Sequence, residues 1–364
     1  MNHNCRPDKA LKKDKNLIYN SKTFCIFECT VREMKAVIPV AGIGTRLRPH
    51  THTQPKSLIP VAGKPILAHI VDQLVANGVC EFIFIIGYLG DKIEEYITNN
   101  YPEINASFVI QTTGKGTGHA IWLAKEAINN EPVLIVFGDT ICELDWQKII
   151  QSPVSMLGVK KVDDPRQFGV AEMNENGKIV KLVEKPAIPK SNLALVGIYK
   201  IIETDALMEC ITANIENNIK TQNEFHLTDA LMCMVSKHFD FEVINVDSWF
   251  DCGKKEILLQ TNELLLKRGK FNSVDPSLIE NSIIIPPVYI GKGSKVKNSI
   301  VGPNVSIGEN ALLEESIIRE SIIGPFAELY HAVLSHSLIG NDAFLQGTVH
   351  SLNLGDSAEI NFNG

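Results

Sequence analysis

Val40-Ala41-Gly42-Ile43-Gly44-Thr45-Arg46-Leu47-Arg48-Pro49, continued at Gln54-Pro55-Lys56, is the stretch from which the rest of the chain is read. It ends the aliphatic run Lys35–Ala41, which reads as a buried strand. Two glycines after such a strand let the backbone approach a ligand, and successive N–H groups in the turn form an anion nest. Arg46 offers a guanidinium fork for phosphate oxygens and Lys56 a point charge. A dinucleotide fingerprint needs a third Gly where Leu47 stands, and a P-loop needs a closing Gly-Lys-Ser/Thr that is missing here. A Gly-x-Gly turn alone could be an ordinary tight turn. Thr45-Arg46 and Pro55-Lys56 beyond it argue for a phosphate loop.

Strand and helix periods alternate from there. Ile66–Ala76, Asp91–Thr98 and His119–Ile128 have helical spacing, while Glu81–Gly87, Ser107–Gln111 and Pro132–Phe137 are strand-length apolar runs. This grammar predicts βαβ units and a mostly parallel sheet, with ligands beyond the carboxyl ends of strands. Gln111 and Gly138-Asp139-Thr140 fall at such ends. A carboxylate there, beside a phosphate loop, suits Mg²⁺, although Asp139 or the later Asp251 could each be a helix cap. Gln167–Val170 and Val183–Pro186 flank the turn Asn174–Gly177 and read as a β-hairpin.

After about Asp275 the pattern changes. Asn281-Ser-Ile-Ile, Asn298-Ser-Ile-Val and Glu315-Ser-Ile-Ile recur every 17 residues, and His336-Ser-Leu-Ile follows. Aliphatic-Gly pairs lie between them, and Ala327–Val333 is the least regular stretch. Short units without helical period are the mark of hexapeptide β-helix repeats, each coil burying one aliphatic layer, with Gly expected at the corners. A small antiparallel β domain is the competing reading.

The chain has 364 residues, 45% of them hydrophobic and 21% charged, which suits two globular parts and excludes wholesale disorder. Its net charge of −7 argues against a nucleic-acid partner, and no apolar run reaches the ~18–20 residues of a membrane helix. The eight cysteines form no Cys-x-x-Cys pair and no disulfide framework, and no secretory signal is visible, so a reduced, cytoplasmic protein is expected. Residues 1–33 carry seven Lys/Arg against four acids. They read as a flexible extension or as a gene-model artefact before a start at Met34.

Together the motifs resemble the sugar-phosphate nucleotidyltransferases, whose pattern Gly-Gly-x-Gly-Thr-Arg-Leu-x-Pro with a later Pro-Lys and Pro-Val-x-x-Lys-Pro is matched at residues 41–65 apart from Ala41 for the first Gly. The resemblance runs over Lys35–Leu265, and the repeats match its long-chain subgroup, which includes glucose-1-phosphate thymidylyltransferases. It implies an α/β, Rossmann-like mixed-sheet catalytic domain over 34–270 and a left-handed parallel β-helix over 276–364. By the resemblance, Ala41, Gly42, Gly44, Thr45, Arg46, Gln111 and Gly116 bind the nucleotide. Gly169, Glu184 and Lys185 hold the sugar phosphate, Asp139 and Asp251 carry Mg²⁺, and Arg46, Lys56 and Lys185 act in catalysis. Arg48 and Lys64 are expected to add charge to the same cleft. His119 is read as local packing, and Glu224, Thr228 and Asp229 as a helix-opening segment in which capping is the expected role.

The reaction so implied joins a pyrimidine nucleoside triphosphate, dTTP or UTP, to a sugar 1-phosphate such as glucose 1-phosphate and expels pyrophosphate. The partners expected are these two substrates and further copies of the chain, with the β-helix serving assembly or regulation. Three alternatives compete: a mannose-1-phosphate guanylyltransferase, a non-catalytic regulatory relative, and an acyltransferase in the coils using His331, His336 or His350. The first is disfavoured by Gln111, the second by the intact Arg46, Lys56, Asp139 and Asp251, and the third by the ~80 residues available.

Overall fold

Alternate residues of the central strands enter different cores, which is why their sequences are continuously apolar. The computed structural model describes residues 34–269, 271 and 274–348; the leader 1–33 and His350 lie outside them. Ala36, Ile38, Phe82 and Phe84 pack on one face, beneath the helix Ile66–Ala76. Val37, Ile83, Ile85 and Val133 pack on the other, against the helices Thr117–Leu123, Thr204–Glu216 and Leu227–Ser236. The helix Ile66–Ala76 buries Ile66, Leu67, Ile70, Val71 and Leu74, the apolar stripe its period predicts. It stops at Asn77-Gly78, where Gly78 takes a φ of 87°.

The sheet runs, from edge to edge, Ile179–Glu184, Gly169–Met173, Leu193–Ile201, Val133–Val136, Lys35–Pro39, Glu81–Ile86 and Asn105–Ile110. Met156–Lys161 joins it on Leu193–Ile201, and Glu242–Asn245 pairs with that strand. The last four strands of the row are parallel, whereas Leu193–Ile201 and the hairpin beyond it pair antiparallel. Mixed pairing turns the hairpin's Gly169–Glu184 end to the same edge as the carboxyl ends of the parallel strands. The helical run at 119–128 is broken at Ala124 into two short helices.

The C-terminal described residues wind into three parallel ladders, which excludes the antiparallel alternative. Val296, Leu313, Leu329 and Leu345 stack in register, and the interior is a column of Val, Ile, Leu and Ala. This is a left-handed β-helix. Its sequence register differs from the expected one in two ways. The row begun by Asn281, Asn298 and Glu315 continues at His331, sixteen residues on, while His336 belongs to a neighbouring corner with Glu320. Ala332 stands where Ser282, Ser299 and Ser316 stand, and this masked the repeat in a stretch, Ala327–Val333, that is in fact regular. In that column each Ser hydroxyl accepts the N–H of the next coil at 2.9–3.1 Å.

Gly302 takes a left-handed φ of 111° as expected, but most of the repeat glycines act otherwise. Asn281, Asn298, Glu315 and His331 themselves take the left-handed corner, with φ of 45–51°. Gly291, Gly308 and Gly324 are needed because a β-carbon would come within 2.4–2.6 Å of the backbone of the coil above.

The two halves meet through a buried polar junction, and the described residues form one compact unit. Asn262, on the helix Lys255–Arg268, is 1% exposed. Its Oδ1 accepts from Ala62 N at 2.9 Å and from Ser306 Oγ at 2.6 Å, and its Nδ2 donates to Asn304 O at 3.1 Å. Thus one amide ties the turn after Lys56, the helix after Asp251 and a β-helix corner. Tyr289 covers Gly63 so closely that a β-carbon there would lie 2.6 Å from its ring. Asn262→Ala would leave an N–H, a hydroxyl and a carbonyl buried without partners, at about 1–3 kcal/mol each before relaxation. Denaturant unfolding should therefore show a loss of at least about 2 kcal/mol; a loss under about 0.5 kcal/mol would remove the junction from the account.

Candidate active site

Asp139 and Asp251 are brought together by backbone pairing. Val133–Val136 ends three residues before Asp139, and the next strand, Thr140–Glu143, pairs antiparallel with Ser248–Asp251 so that Asp251 faces Thr140. Cys252 N–H then donates to Asp139 O at 3.0 Å. Neither carboxylate caps a helix; the helix Trp146–Gln151 is capped by Asp145. Instead both face the Lys56 ammonium, which hydrogen-bonds Asp139 Oδ2 and lies 3.6 Å from Asp251 Oδ1. Burial alone would lower the Lys56 pKa, but the two carboxylates outweigh it and raise it. Burial likewise opposes ionisation of Asp139, and the Lys56 ammonium reverses this, holding the carboxyl below its ordinary range.

Lys56 is delivered by the loop that ends the first strand. Gly44 adopts φ 70°, ψ 40°, and a β-carbon on it would press to 3.0 Å on Lys56 Cβ, so the loop folds directly over that side chain. Thr51 Oγ1 donates to Gly44 O at 2.9 Å and Gln54 Nε2 to Leu58 O at 2.7 Å, fixing the turn Lys56–Leu58. Gly42 has open space where a β-carbon would be. Ala41, the departure from the family pattern, packs on Gly87, where a β-carbon would meet the Ala41 methyl at 2.9 Å. Arg46 is half exposed, 3.8 Å from Asp251 Oδ2.

Residues 41–45 of this loop, Lys56, Gln111, Gly116 and Asp139 line a cavity of about 800 Å³, open on one side, while Arg46 and Asp251 stand beside it without lining it. Gln111 is buried and donates through Nε2 to Gly116 O at 3.3 Å and to His119 Nδ1 at 3.1 Å. Gly169, Glu184 and Lys185 do not line it. They gather next to it, across Glu224 and His226: Glu224 lines the cavity, and His226 Nε2 is 3.9 Å from it. Glu184 accepts from Thr228 Oγ1 at 2.6 Å and faces His226 Nδ1 at 3.5 Å and Lys185 Nζ at 3.7 Å. Lys185 holds a left-handed φ of 44°, a strained state for a side-chain-bearing residue and one common at ligand sites.

Several expectations need correction. Thr228 caps nothing: His226 occupies the cap of Leu227–Ser236 without a side-chain bond, and the Thr228 hydroxyl serves Glu184. Lys64 lies outside the cleft, because the hairpin Pro60–Val61/Lys64–Pro65 turns it onto Asp72. Arg48 is exposed and does not line the cavity. His226, which faces Glu184, was missed by the sequence reading, which singled out only Glu224, Thr228 and Asp229 in this segment. His119 does more than pack locally, since it bonds Gln111. Trp249, whose ring meets Phe168 at 4.6 Å, has a buried indole N–H with no partner among the described residues, as has Asp229 Oδ2. Burial pushes the Cys252 thiol up to about 12.

The family model for nucleotidyl transferases matches residues 35–268, and one for a GlmU-like C-terminal hexapeptide region matches 269–348. The chain belongs to the nucleotidyl transferase family. Among curated relatives, the low-salt glycan biosynthesis nucleotidyltransferase Agl11 of Haloferax volcanii is 31% identical over 64% of this chain and 66% of its own length. The bifunctional protein GlmU of Methanocaldococcus jannaschii is 35% identical over 69% of this chain and 59% of its own length. A glucose-1-phosphate thymidylyltransferase of Streptomyces griseus is 29% identical over 72% and 79%. The match therefore spans about three fifths to two thirds of the first two relatives. A crystal structure of UDP-glucose pyrophosphorylase complexed with UDP-glucose superposes with a TM-score of 0.57 at 26% identity, over 65% of this chain and 99% of that one. In this nucleotidyl transferase, no helix among the described residues is long and apolar enough to cross a membrane.

Gly116 gives a direct test of the cavity wall. Its φ is 101°, and a β-carbon would lie 2.5 Å from Phe225 O, so Gly116→Ala must move the segment that carries Glu224 and His226. Calorimetry should show a destabilised chain, by about 1–3 kcal/mol, that has also lost nucleoside triphosphate binding. An alanine variant binding as tightly as the native chain would place the nucleotide elsewhere.

Proposed function

We propose that the chain transfers a nucleotidyl group from a pyrimidine nucleoside triphosphate, dTTP or UTP, to a sugar 1-phosphate of the glucose 1-phosphate type. The observation that carries this reading is that Lys56 and Asp139 line a nucleotide-sized cavity with Asp251 against the same ammonium, beside a second cluster built on Glu184 and Lys185.

In this reading the phosphate loop and Arg46 bind the triphosphate, the loop through backbone N–H groups and Arg46 through its exposed guanidinium. Glu184, oriented by Thr228, accepts from sugar hydroxyls, and Lys185 holds the sugar phosphate. An oxygen of that phosphate attacks the α-phosphorus in line. The bond from the α-phosphorus to the bridging oxygen breaks, and pyrophosphate leaves with the electron pair. The nucleophile is already an anion, so no general base is needed, and the work is positioning and charge neutralisation. Two carboxylates with substrate phosphates suit Mg²⁺, and the Lys56 ammonium already sits as a cation between them. Asp139 and Asp251 would hold the ion, which supplies neutralisation of the developing phosphoryl charge. Lys56 adds positive charge at the same point.

The β-helix is read as an assembly module whose copies associate. His331 and His336 are paired across coils with Glu315 and Glu320 at 2.9 and 3.2 Å, which supports reading them as corner contacts.

Pyrophosphate release measured over a matrix of nucleoside triphosphates and sugar 1-phosphates tests the reading. dTTP or UTP should head the ranking, and GTP or ATP in that place would refute the pyrimidine assignment. Asp139→Asn, isosteric but uncharged, should lower kcat by about a thousandfold or more with the fold intact; near-native turnover with Mg²⁺ would sink the metal assignment. Gln111→Glu should weaken pyrimidine triphosphate binding by placing a carboxylate against the base.

A further inference from the structure

Gln111 Nε2 has two hydrogens, and both are committed, to Gly116 O at 3.3 Å and to His119 Nδ1 at 3.1 Å. A backbone carbonyl can only accept, so it is the nitrogen end of the amide that faces Gly116. Among the described residues the amide oxygen has no protein partner, and it is not among the buried polar atoms lacking one, while the residue lines the cavity. The pocket therefore meets its ligand with an acceptor. For the nitrogen to stay so placed, His119 Nδ1 must carry the lone pair and Nε2 the proton.

The surroundings keep the imidazole in that state. Burial and then Lys115 lower its pKa from the ordinary value of 6.5, favouring the neutral ring at pH 7. The ring lies over Trp122, with centroids 6.0 Å apart and planes 26° from parallel, and Trp122 Nε1 is anchored on Thr212 Oγ1 at 3.2 Å. The Gly116 contact alone is long and made to a neutral carbonyl, so His119 supplies the shorter hold on the amide.

We infer that His119 sets the hydrogen-bond polarity of the base pocket: by accepting from Gln111 it makes that side chain present a carbonyl, which admits a pyrimidine carrying N3–H and refuses one with a lone pair at N3. Uracil and thymine carry the hydrogen; cytosine has the lone pair. The inference rests on reading the cavity as the site of a pyrimidine nucleotide. His119 is a positioning residue, acting through Gln111.

The test is the ratio of kcat/KM for UTP over CTP, with one sugar 1-phosphate and the full-length chain. The native chain should favour UTP by roughly a thousandfold, as a site with a committed polar partner does. His119→Phe keeps a ring on Trp122 and removes the acceptor, and it should lower the ratio at least about tenfold, in part by a gain on CTP. His119→Gln returns a carbonyl acceptor and should restore most of the ratio. A purely structural role would weaken both triphosphates alike. An unchanged ratio in folded His119→Phe overturns the inference while leaving the base reading intact. A native chain that prefers neither UTP nor dTTP overturns the base reading and the inference with it. Equilibrium binding of UTP and CTP to His119→Leu reads the same ratio without turnover, should the phenylalanine variant not fold.

Discussion

Two carboxylates held by the pairing of Thr140–Glu143 with Ser248–Asp251 would repel each other, and the Lys56 ammonium between them removes that repulsion. Like charges at such spacing oppose one another by a few kcal/mol in a partly screened protein environment, so the arrangement needs a cation. Much of the catalytic half serves to bring one there. The first strand ends in a loop that Gly44 folds over Lys56, Thr51 and Gln54 stiffen the turn, and the neighbouring strand places Asp139. The two carboxylates are offset in part by Lys56, and the Arg46 guanidinium 3.8 Å from Asp251 supplies the rest of the positive charge. That is the electrostatic condition for exchanging an internal cation for a charged substrate complex.

The same turn is where the two halves of the chain are joined. Asn341 Nδ2 donates to Gln54 Oε1 at 3.2 Å, and Gln54 holds Leu58. On the far side of Lys56, Asn262 holds Ala62 while gripping the β-helix at Asn304 and Ser306. The repeats thus buttress both flanks of the turn that carries Lys56.

Much of this was legible in sequence because it is local. Strand ends are marked by Gly after aliphatic runs, and Ile66–Ala76 shows its stripe by period alone. The loop 41–56 and the carboxylates at 139 and 251 are recognisable as residue types in order. What escaped was long-range or depended on backbone conformation. Lys64 looks like a cleft cation until the hairpin turns it onto Asp72. Thr228 looks like capping chemistry until the hairpin brings Glu184 to it. Ala332 hid the register of the fourth coil because a serine ladder is defined by pairing across 16 or 17 residues, and the coil shortens by one there. Asn262 carried a signal that went unread: a short amide on the helix face that buries Leu258, Thr261 and Leu266 needs partners from elsewhere.

The central claim is that Asp139 and Asp251 form a cation site which Lys56 fills in the absence of substrate. Binding of Mn²⁺ followed by electron paramagnetic resonance, without nucleotide, tests it most directly. The native chain should bind the ion weakly, and Lys56→Met should bind it at least about tenfold more tightly, because the competing ammonium is gone and two carboxylates remain. Adding Asp139→Asn to that variant should abolish the gain. A folded Lys56→Met chain that binds Mn²⁺ no better than the native one would contradict the account.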